Sequence, residues 1–524
     1  MLVKLKGSAL LGIDAITITI EVNVSMGQGY CIVGLPDNSV KESLDRTESA
    51  IKANGFHMPR TKLVVNLSPA DLKKTGAAFD LPIAIGILAA SEQLKSIFPI
   101  AQYMIMGELG LDGFLYPIKG VLAMAMQAKE EGFAGIIVPT ANQLEAEMVD
   151  ELPVFGFDHI KEVIAFLKDP IDASPASVKN YKATNLLYKI NSSSPLGQPV
   201  PDFSEVKGQQ YSKRALEVAS AGGHNIIMIG PPGAGKTMLA KSIVSILPPL
   251  SKMEALETSK IYSASGKWTA SKQWHSQRPF RQPHHTLSAI AMIGGGSFPQ
   301  PGEISLAHNG VLFLDELPEF NRSVIEVLRQ PMEEGLVAIA RAKMSVLFPA
   351  RFMLMASMNP CPCGFYNHPQ KECNCSPSSI QKYMHKISGP LLDRIDLHIE
   401  VAPVLYEELR GQKQGDTSAM IAKRVKKARE MQFERFKMEE GVYTNAQMSK
   451  HQLKTYCVIS HSAETLLKNA MEKFQLSARA FDRILKVSRS IADLEGSETI
   501  QMNHISEAIQ YRNLDRSNWG QFKH

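Results

Sequence analysis

Residues 230 to 237 read Gly-Pro-Pro-Gly-Ala-Gly-Lys-Thr, which is a glycine followed by four residues and then Gly-Lys-Thr. The apolar run Ile226-Ile-Met-Ile229 comes directly before this stretch, and residues 238–247 favour a helix. A strand, a glycine-rich loop and a helix in this order are typical of a phosphate-binding loop. Glycines let backbone N–H groups surround a triphosphate, and the helix N-terminus adds positive potential. The sequence therefore predicts an ATP site formed by Gly230, Pro231, Pro232, Gly233, Ala234, Gly235, Lys236 and Thr237.

Two acidic residues follow a second apolar run, Val311-Leu-Phe-Leu314, which predicts a buried strand. Asp315 at the end of this strand and the Thr237 hydroxyl are expected to hold Mg²⁺. Glu316 is expected to act as general base on the attacking water, while Lys236 neutralises the outer phosphates. The alternative is a strand that simply ends in two solvated acids.

A third apolar run, Phe352-Met-Leu-Met355, leads to Asn359-Pro360. A polar amide at a strand end beside the γ-phosphate can orient the attacking water, so Asn359 is predicted to have that role. The alternative is an ordinary turn residue, because asparagine before proline is common in turns.

Length and composition limit the function classes. The chain has 524 residues, enough for about three domains. With 44% hydrophobic and 21% charged residues, it has the composition of a globular protein with apolar cores. The net charge of +5 permits nucleic-acid binding without requiring it. No run approaches the roughly 18 apolar residues of a membrane span, and the N-terminus lacks a signal-peptide profile, so we expect no membrane association.

The pattern along the chain predicts several domains. Residues 1–168 alternate strand-like and helical segments, residues 169–201 form a linker rich in Pro, Ser and Asn, and residues 202–403 form an α/β nucleotide-binding core. Residues 404–512 then form an all-α region, and 513–524 a tail. Within the all-α region, helices are predicted at 418–436, 462–473, 478–494 and 503–511.

The nucleotide motifs, together with Ser388-Gly-Pro-Leu-Leu-Asp-Arg-Ile-Asp396, resemble those of the AAA+ superfamily, in particular its magnesium-chelatase and MCM-type branch. The resemblance implies that Arg394 is an arginine finger, which reaches the γ-phosphate of the neighbouring subunit. It also implies that Arg479, which opens a C-terminal helix, is a second sensor in an AAA+ lid. The alternatives are an ion pair of Arg394 with Asp393 or Asp396, and a solvated Arg479.

Longer runs of sequence resemble the ComM/YifB family, whose members are often described as magnesium-chelatase-like. These runs are residues 278–286, the glycines 294–296, Pro301-Gly-Glu303 and residues 307–320, and the resemblance covers essentially the whole chain. It implies a hexameric AAA+ ring that uses ATP and Mg²⁺ as a DNA branch-migration helicase in natural transformation. An AAA+ remodeller of a protein partner, of the metal-chelatase type, would share the same ATP motifs. A scaffold whose assembly is controlled by ATP is a further alternative.

The N-terminal region resembles the Lon-protease-like fold, an α+β fold of the S5 domain 2-like type. The resemblance rests on residues 107–118 and 132–139. Active Lon domains carry a Ser–Lys dyad, but residues 74–80 here have alanine and phenylalanine where the serine should be, and residues 120–124 contain no lysine. Because a nucleophile needs an adjacent base, the resemblance implies no peptidase activity. A role in ring stability or substrate contact is expected instead.

Four of the six cysteines lie within fifteen residues, as Cys361-Pro-Cys363 and Cys373-Asn-Cys375. Four thiolates in two close pairs can form a structural tetrahedral Zn²⁺ site. Buried reduced thiols and a redox pair are the alternatives. So few cysteines in so long a chain do not suggest a disulfide framework, and they favour a reducing cytoplasm.

Two segments are candidates for DNA contact. Residues 262–310, which we interpret as an insertion between the nucleotide motifs, combine basic and aromatic residues suited to phosphate neutralisation and base stacking. Residues 335–348 are predicted to form a β-hairpin, and the AAA+ resemblance implies that it faces a central pore. The candidate contacts are Arg278, Arg281, Arg341 and Lys343. The alternative is ordinary surface charge, which is also our interpretation of the basic run 423–429.

Overall fold

The computed structural model describes residues 1–97, 99–168, 200–268, 277–296, 299–341, 344–368, 370–404, 415–439 and 441–512. The chain divides into two compact units: residues 1–190 with 255–274, and residues 191–254 with 275–524. The predicted tail and residues 169–199 of the predicted linker lie outside the described residues. Among those described, no helix combines the length and apolar composition that a membrane span requires.

The first unit is built on a mixed β-sheet. Its strands are β1 (Leu2–Leu11), β2 (Asp14–Ser25), β3 (Tyr30–Val33), β4 (Lys62–Ser68), β5 (Tyr103–Ile105), β6 (Glu108–Leu109), β7 (Leu115–Tyr116), β8 (Gly135–Pro139) and β9 (Val154–Phe157). The described strands of the sheet have the order β3-β4-β2-β1-β5-β8-β9. The pairs β1–β2 and β2–β4 are antiparallel and the other pairs are parallel. β6 and β7 form a separate hairpin.

Helices pack on this sheet. They are α1 (Asn38–Lys41), α2 (Ser43–Ala53), α3 (Asp80–Ala90), α4 (Val121–Glu130), α5 (Thr140–Ala146) and α6 (Ile160–Lys168). All residues of α3 are buried, as expected for a helix that is apolar all round. A Cβ at Gly86 would lie 2.5 Å from Val22 Cγ2, so the missing side chain lets α3 approach β2 closely.

The second unit contains a parallel sheet. The strands of this sheet are β10 (Ile226–Ile229), β11 (Phe280–Arg281), β14 (Val311–Leu314), β17 (Met353–Met358) and β18 (Leu397–Glu400). Two separate antiparallel pairs are formed by β12 (Gly294–Gly295) with β13 (Gln300–Pro301), and by β15 (Leu336–Arg341) with β16 (Met344–Pro349). The order of the described strands is β11-β14-β17-β10-β18. Because β10, β14 and β17 are adjacent and parallel, the residues that follow them meet at one edge of the sheet.

Helices of the second unit fall into two groups along the chain. The first group is α7 (Gln210–Gly222), α8 (Lys236–Ser242), α9 (Lys252–Ala264), α10 (Ala289–Ile293), α11 (Glu303–Leu306), α12 (Arg322–Glu326), α13 (Arg329–Glu334), α14 (Pro377–Met384) and α15 (Gly389–Leu392). Residues of α9 from 255 onwards belong to the first unit. The second group forms the C-terminal helical region: α16 (Ser418–Arg435), α17 (Lys450–Tyr456), α18 (His461–Phe474), α19 (Ala478–Glu495) and α20 (Met502–Gln510).

The C-terminal helices belong to the same compact unit as the parallel sheet. α16 and α19 both pack against α7. Gln432 on α16 donates to the carbonyl of Ala221 at 2.9 Å, and Arg214 on α7 donates to Glu507 at 2.9 Å. The helical region is therefore joined to the nucleotide core by hydrogen bonds and an ion pair as well as by apolar packing.

The predicted multidomain α/β architecture with a phosphate-loop core and a helical C-terminal region is confirmed. Three details differ from the sequence prediction. The helix predicted at 238–247 ends at Ser242 and continues as a 3₁₀ turn over Ile243–Ser245. α17 was not predicted. The predicted insertion 262–310 contains β11, an edge strand of the core sheet that is too short to show a hydrophobic pattern.

Candidate nucleotide site

The phosphate loop joins β10 to α8. Gly233 and Gly235 have φ angles of 79° and 86°, which residues with a Cβ rarely adopt. Among the described residues, the backbone N–H groups of these two glycines have no hydrogen-bond acceptor within the protein. Two unpaired N–H groups in a left-handed loop suit the oxygens of a phosphate group. The loop therefore fits the predicted triphosphate ligand.

Lys236 begins α8 and its ammonium group lies at the centre of the site. It donates to the carbonyl oxygens of Gly230 and Pro231 at 2.6 and 2.9 Å, and to Asn359 Oδ1 at 3.1 Å. Burial lowers the pKa of Lys236, although Asp315 and Glu316 act in the opposite direction. The structure therefore brings together the lysine and the amide that the sequence assigned to the outer phosphates.

Thr237 and Asp315 are in direct contact, with Thr237 Oγ1 donating to Asp315 Oδ2 at 2.8 Å. Two neighbouring oxygen ligands of an octahedral Mg²⁺ would lie about 3.0 Å apart, given Mg–O distances of about 2.1 Å. The observed spacing fits both groups as ligands of one Mg²⁺. The other Asp315 oxygen accepts a hydrogen bond from the Ser357 hydroxyl.

Glu316 differs from Asp315 in exposure and backbone conformation. Its carboxylate is exposed, whereas Asp315 is half-buried. Its φ angle is 53°, in the left-handed region that glutamate seldom occupies. Its backbone N–H donates to Ser357 Oγ at 3.2 Å. A strained, exposed carboxylate beside a metal-ligand pair is suited to activating a water molecule.

Two residues of the site were not predicted from the sequence. Ser357 at the end of β17 contacts both Asp315 and Glu316. Tyr383 on α14 hydrogen-bonds the backbone of Asn359, and burial, reinforced by nearby Glu319, raises its pKa to about 12. The sequence signal for Ser357 is weak: it is a small polar residue in an otherwise apolar strand.

Gly364 braces the phosphate loop. It lies five residues after Asn359 and has a φ angle of 82°. A Cβ at this position would lie 2.5 Å from Cδ and 2.8 Å from Cγ of Pro232. The turn that follows the predicted water-orienting residue therefore packs directly against the loop that faces the phosphates.

We predict that Gly364→Ala displaces the phosphate loop and lowers kcat/KM for ATP by about 10²-fold, since small displacements at a reacting centre have effects of this size. Steady-state ATPase kinetics would measure it. Gly496→Ala is the matched control, because Gly496 has a φ angle of 71° but open space around its Cβ position. Equal ATPase losses in the two variants would contradict the bracing role.

Arg394 lies at the end of the segment containing α15, and its side chain is only 11% exposed. Its guanidinium pairs with Glu333 and donates to the carbonyl of Pro390. Neither Asp393 nor Asp396, the pairs considered from the sequence, is its partner among the described residues. The structure therefore shows an ion pair within the chain, formed with a residue that the sequence did not suggest.

Arg479 lies in the first turn of α19, whose N-cap is Ser477. Its side chain is 60% exposed and lies 3.7 Å from Asp393 Oδ2. An exposed arginine with one long-range ion pair can change partners at little cost. Its sensor role remains a prediction.

The four clustered cysteines converge in space as well as in sequence. Their sulfur atoms all lie within 4.8 Å of one another, and Cys361 Sγ is 3.3 Å from Cys363 Sγ and 3.6 Å from Cys373 Sγ. A tetrahedral zinc site with Zn–S bonds of about 2.3 Å places its sulfurs about 3.8 Å apart. Cys361 is buried and Cys375 half-buried. The arrangement could therefore hold a metal ion.

The thiols of this cluster have divergent pKa values. Burial raises the pKa of Cys363, but hydrogen bonds from the Phe365 backbone and from Cys361 outweigh it and lower the value to about 6. Burial and the neighbouring thiols raise the pKa of Cys373 to about 12. One thiolate is thus favoured and further ones are disfavoured, so a cation that binds here must displace protons.

The candidate DNA contacts have different environments. Arg278 is 12% exposed and forms a bidentate pair with Glu254 at 2.8 and 3.1 Å. Arg281 forms a bidentate pair with Glu303 at 2.6 and 2.7 Å. These arginines hold carboxylates of their own chain, and their DNA role stays a prediction.

Residues 336–349 form the predicted hairpin, β15 with β16, but Lys343 and the Arg341 side chain lie outside the described residues.

The first unit contains the segments that were compared with a Ser–Lys dyad. Lys74 is fully buried, its ammonium donates to the carbonyl of Pro69, and burial lowers its pKa. Asp80, also fully buried, pairs with Arg46 at 2.7 Å. These groups make structural contacts within the unit, and the absence of peptidase activity remains a prediction.

The sheet order, the phosphate loop and the paired Thr237 and Asp315 define a nucleotide-binding protein of the AAA+ type. Three family models of magnesium chelatase match the chain: subunit ChlI of Mg-chelatase at residues 20–142, magnesium chelatase, subunit ChlI, at 202–409, and the ChlI C-terminal part at 415–512. This family membership indicates ATPase activity with ATP and Mg²⁺.

Relatives match over nearly the full length. The YifB protein of Salmonella typhimurium is 43% identical over 97% of this chain and 96% of its own. Competence protein ComM of Haemophilus influenzae is 42% identical over 97% of both chains. The chloroplastic magnesium-chelatase subunit ChlI of Nicotiana tabacum is 22% identical over 60% of this chain and 72% of its own. The chain belongs to the ComM/YifB family of magnesium-chelatase-like proteins.

Proposed function

We propose that this chain is the subunit of a hexameric, ATP-driven DNA motor that performs branch migration on recombination intermediates in natural transformation. The observation that carries the proposal is the assembled ATP site in a chain that matches competence protein ComM over 97% of its length. The competence role of that relative supports DNA as the substrate.

The residues of the site divide the work of hydrolysis. The loop N–H groups and Lys236 bind and orient the phosphates, and Thr237 with Asp315 would hold the Mg²⁺ that neutralises charge on them. Glu316 accepts a proton from the attacking water, and Asn359 orients that water. The contact between Asn359 and Lys236 at 3.1 Å supports a shared position beside the outer phosphate.

Arg394 is proposed as the finger that completes the site of a neighbouring subunit. Its pairing with Glu333, a half-exposed acid, supports a resting position from which the guanidinium exchanges one anion for another. Phosphate oxygens accept the same forked hydrogen bonds as a carboxylate. Arg479 is proposed to respond to the nucleotide of its own subunit.

We predict that Arg394→Ala and Glu316→Gln each lose ATPase activity, the former by about 10³–10⁵-fold, as for other arginine fingers. When the two variants are mixed and allowed to reassemble, activity is expected to return. In the mixture, Arg394 of a Glu316→Gln subunit can complete the intact site of an Arg394→Ala subunit. ATPase assays over a range of mixing ratios would measure the recovery. A mixture as inactive as its components would show that Arg394 does not act between subunits.

DNA movement is assigned to the β15–β16 hairpin, including Arg341 and Lys343, and to the segment 262–310. The antiparallel hairpin begins two residues after α13, which carries Glu333, the partner of Arg394. This proximity along the chain supports a link between the finger and the hairpin. Contacts through the DNA backbone would give little sequence preference and a steep dependence on salt.

We predict that DNA stimulates the ATPase and that Glu316→Gln abolishes migration of a branched four-strand junction while retaining ATP binding. The exposed carboxylate is needed for water activation, whereas the phosphate contacts do not involve it. Fluorescent junctions and nucleotide-binding titrations would measure the two properties. Asp482→Asn, a change in a half-buried acid of α19, is the control and should leave both unchanged.

A remodeller of a protein partner is the second candidate, favoured by the matches to magnesium chelatase across three parts of the chain. It predicts ATPase activity that is indifferent to DNA and no movement of junctions. A scaffold controlled by ATP predicts that Glu316→Gln retains function. Junction movement therefore distinguishes the motor from both alternatives, and the effect of Glu316→Gln on function distinguishes the remodeller from the scaffold.

We propose that the first unit adopts the Lon-like fold without peptidase function and stabilises the ring or contacts substrate. We also propose that the cysteine cluster holds a structural Zn²⁺, since four sulfurs leave no open coordination position. The convergence of the four sulfurs within 4.8 Å supports this.

We predict about one zinc per purified chain, and Cys373→Ser is expected to lose most of it because a ligand is removed. Elemental analysis by mass spectrometry would measure the ratio. Cys31→Ser, which changes an exposed cysteine of the first unit, should retain the metal. Zinc-free wild-type protein with oxidised thiols would support the redox alternative instead.

A further inference from the structure

A cavity of about 520 Å³ lies within the second unit, at the end of the parallel sheet opposite to the phosphate loop. The residues that line it include Asn225, which precedes β10, and Val311 and Met353, which begin β14 and β17. The phosphate loop follows the other end of β10. Four strand residues, or about 13 Å, therefore separate the two sites. The volume falls in the range typical of small-molecule sites.

The cavity is lined by nine charged side chains. Its cations are Arg278, Arg351, Arg429, Arg483 and Lys486, and its acids are Glu254, Glu333, Glu334 and Asp396. The acids already have partners: Glu254 pairs with Arg278, Asp396 with Arg483, and Glu333 with Arg394. Glu334 accepts a hydrogen bond from Gln330 at 2.7 Å.

Three of the cations remain without a carboxylate. Within the part of the chain that the structure describes, no acidic oxygen lies within 4.0 Å of Arg351, Arg429 or Lys486. Arg429 donates twice to the carbonyl of Ser220, at 3.0 and 3.2 Å, and Lys486 donates to the carbonyl of Ala446 at 2.8 Å. These neutral partners orient the cationic groups without neutralising them.

Arg351 approaches the cavity from the sheet rather than from the C-terminal helices. Its guanidinium lies 5.9 Å from the centre of the Tyr443 ring, which also lines the cavity. An aromatic face holds a guanidinium in place while leaving its N–H groups available in the ring plane. Positive groups from two regions of the fold therefore line one cavity.

The protonation properties of these groups agree with the geometry. Burial lowers the pKa of Lys486 to about 8, with a contribution from Arg483, although Asp396 and Asp482 act in the opposite direction. Burial and the nearby Arg278 lower the pKa of Arg429 to about 9, although Glu254 opposes the shift. The charged forms are thus destabilised by their surroundings, and an anion in the cavity would relieve that effect.

We propose that this cavity binds a small ligand that carries phosphate groups, with Arg351, Arg429 and Lys486 as the binding residues. Two guanidinium groups match phosphate oxygens through paired hydrogen bonds, and the lysine adds a point charge. The site is distinct from the ATP site and does not depend on the proposed DNA motor. Its volume of about 520 Å³ suits a small molecule rather than a nucleic-acid strand.

Binding of sodium pyrophosphate to the full-length Lys236→Ala protein, measured by isothermal titration calorimetry without Mg²⁺, tests the proposal. This background removes the lysine of the phosphate loop, so the remaining binding reports on the cavity. One site per chain is expected. Arg429→Met and Lys486→Met in the same background are expected to weaken pyrophosphate at least tenfold, and Arg429→Lys less, because it keeps the charge but loses the fork.

Lys426→Met is the matched control, since Lys426 is an exposed residue of the same helix as Arg429. It should leave the affinity unchanged. Citrate, a polycarboxylate, is titrated in parallel, and tighter binding of citrate than of pyrophosphate would overturn the assignment to phosphate ligands. Absence of pyrophosphate binding, or equal affinities in Arg429→Met, Lys486→Met and the control, would also overturn it.

Thermal unfolding without ligand separates a binding role from a structural one. Removing a half-buried charge that has no carboxylate partner among the described residues is expected to leave the melting temperature of Arg429→Met and Lys486→Met unchanged or raised. A lowered melting temperature in both variants, with pyrophosphate affinity retained, would mean that the cations serve the fold alone and would refute the proposal.

Discussion

The contact between Thr237 and Asp315 is the interaction on which the nucleotide site depends. It joins two residues that are 78 positions apart, one following β10 and the other following β14. The second oxygen of Asp315 is held by Ser357 from β17, so one carboxylate ties together the ends of three strands. Ser357 also accepts a hydrogen bond from the N–H of Glu316, which helps hold that residue in its left-handed conformation. The metal ligands and the proposed base are therefore positioned by the same three-strand contact.

The site is also braced from outside the sheet. The chain leaves β17 through Asn359, which contacts Lys236, and returns at Gly364 against Pro232 of the phosphate loop. The cysteine cluster begins within this short segment, at Cys361. A metal ion at the cysteines would fix a turn whose next residues touch the phosphate loop. Its value to the protein would then be the rigidity of the nucleotide site, because four sulfur ligands leave no position for catalysis.

Much of this could be predicted because the signals are contiguous. Strands β10 and β14, the phosphate loop and the acids after β14 are local patterns of apolar runs, glycines and charges. Features that depend on pairing between distant segments could not be predicted in this way. The partner of Arg394 is Glu333, about sixty residues away, and the space that Gly364 leaves for Pro232 exists only after the sheet has formed. β11 was absorbed into a predicted insertion because two residues carry no periodicity.

The basic residues show why composition alone does not locate anion-binding sites. Arg278 lies in a basic and aromatic segment that suggests nucleic acid, yet the fold gives its guanidinium to Glu254. Arg429 belongs to a basic run that suggests a solvated helix face, yet the fold turns it toward a cavity where, among the described residues, no carboxylate lies within 4.0 Å of it. An arginine that is paired with a carboxylate must lose that ion pair before it binds phosphate. An arginine without a carboxylate gains an ion pair when phosphate binds. Which arginine and lysine side chains can bind an added anion therefore depends on which of them the fold leaves without a carboxylate. In this chain such cations line the cavity, and the β15–β16 hairpin carries the proposed contact with DNA.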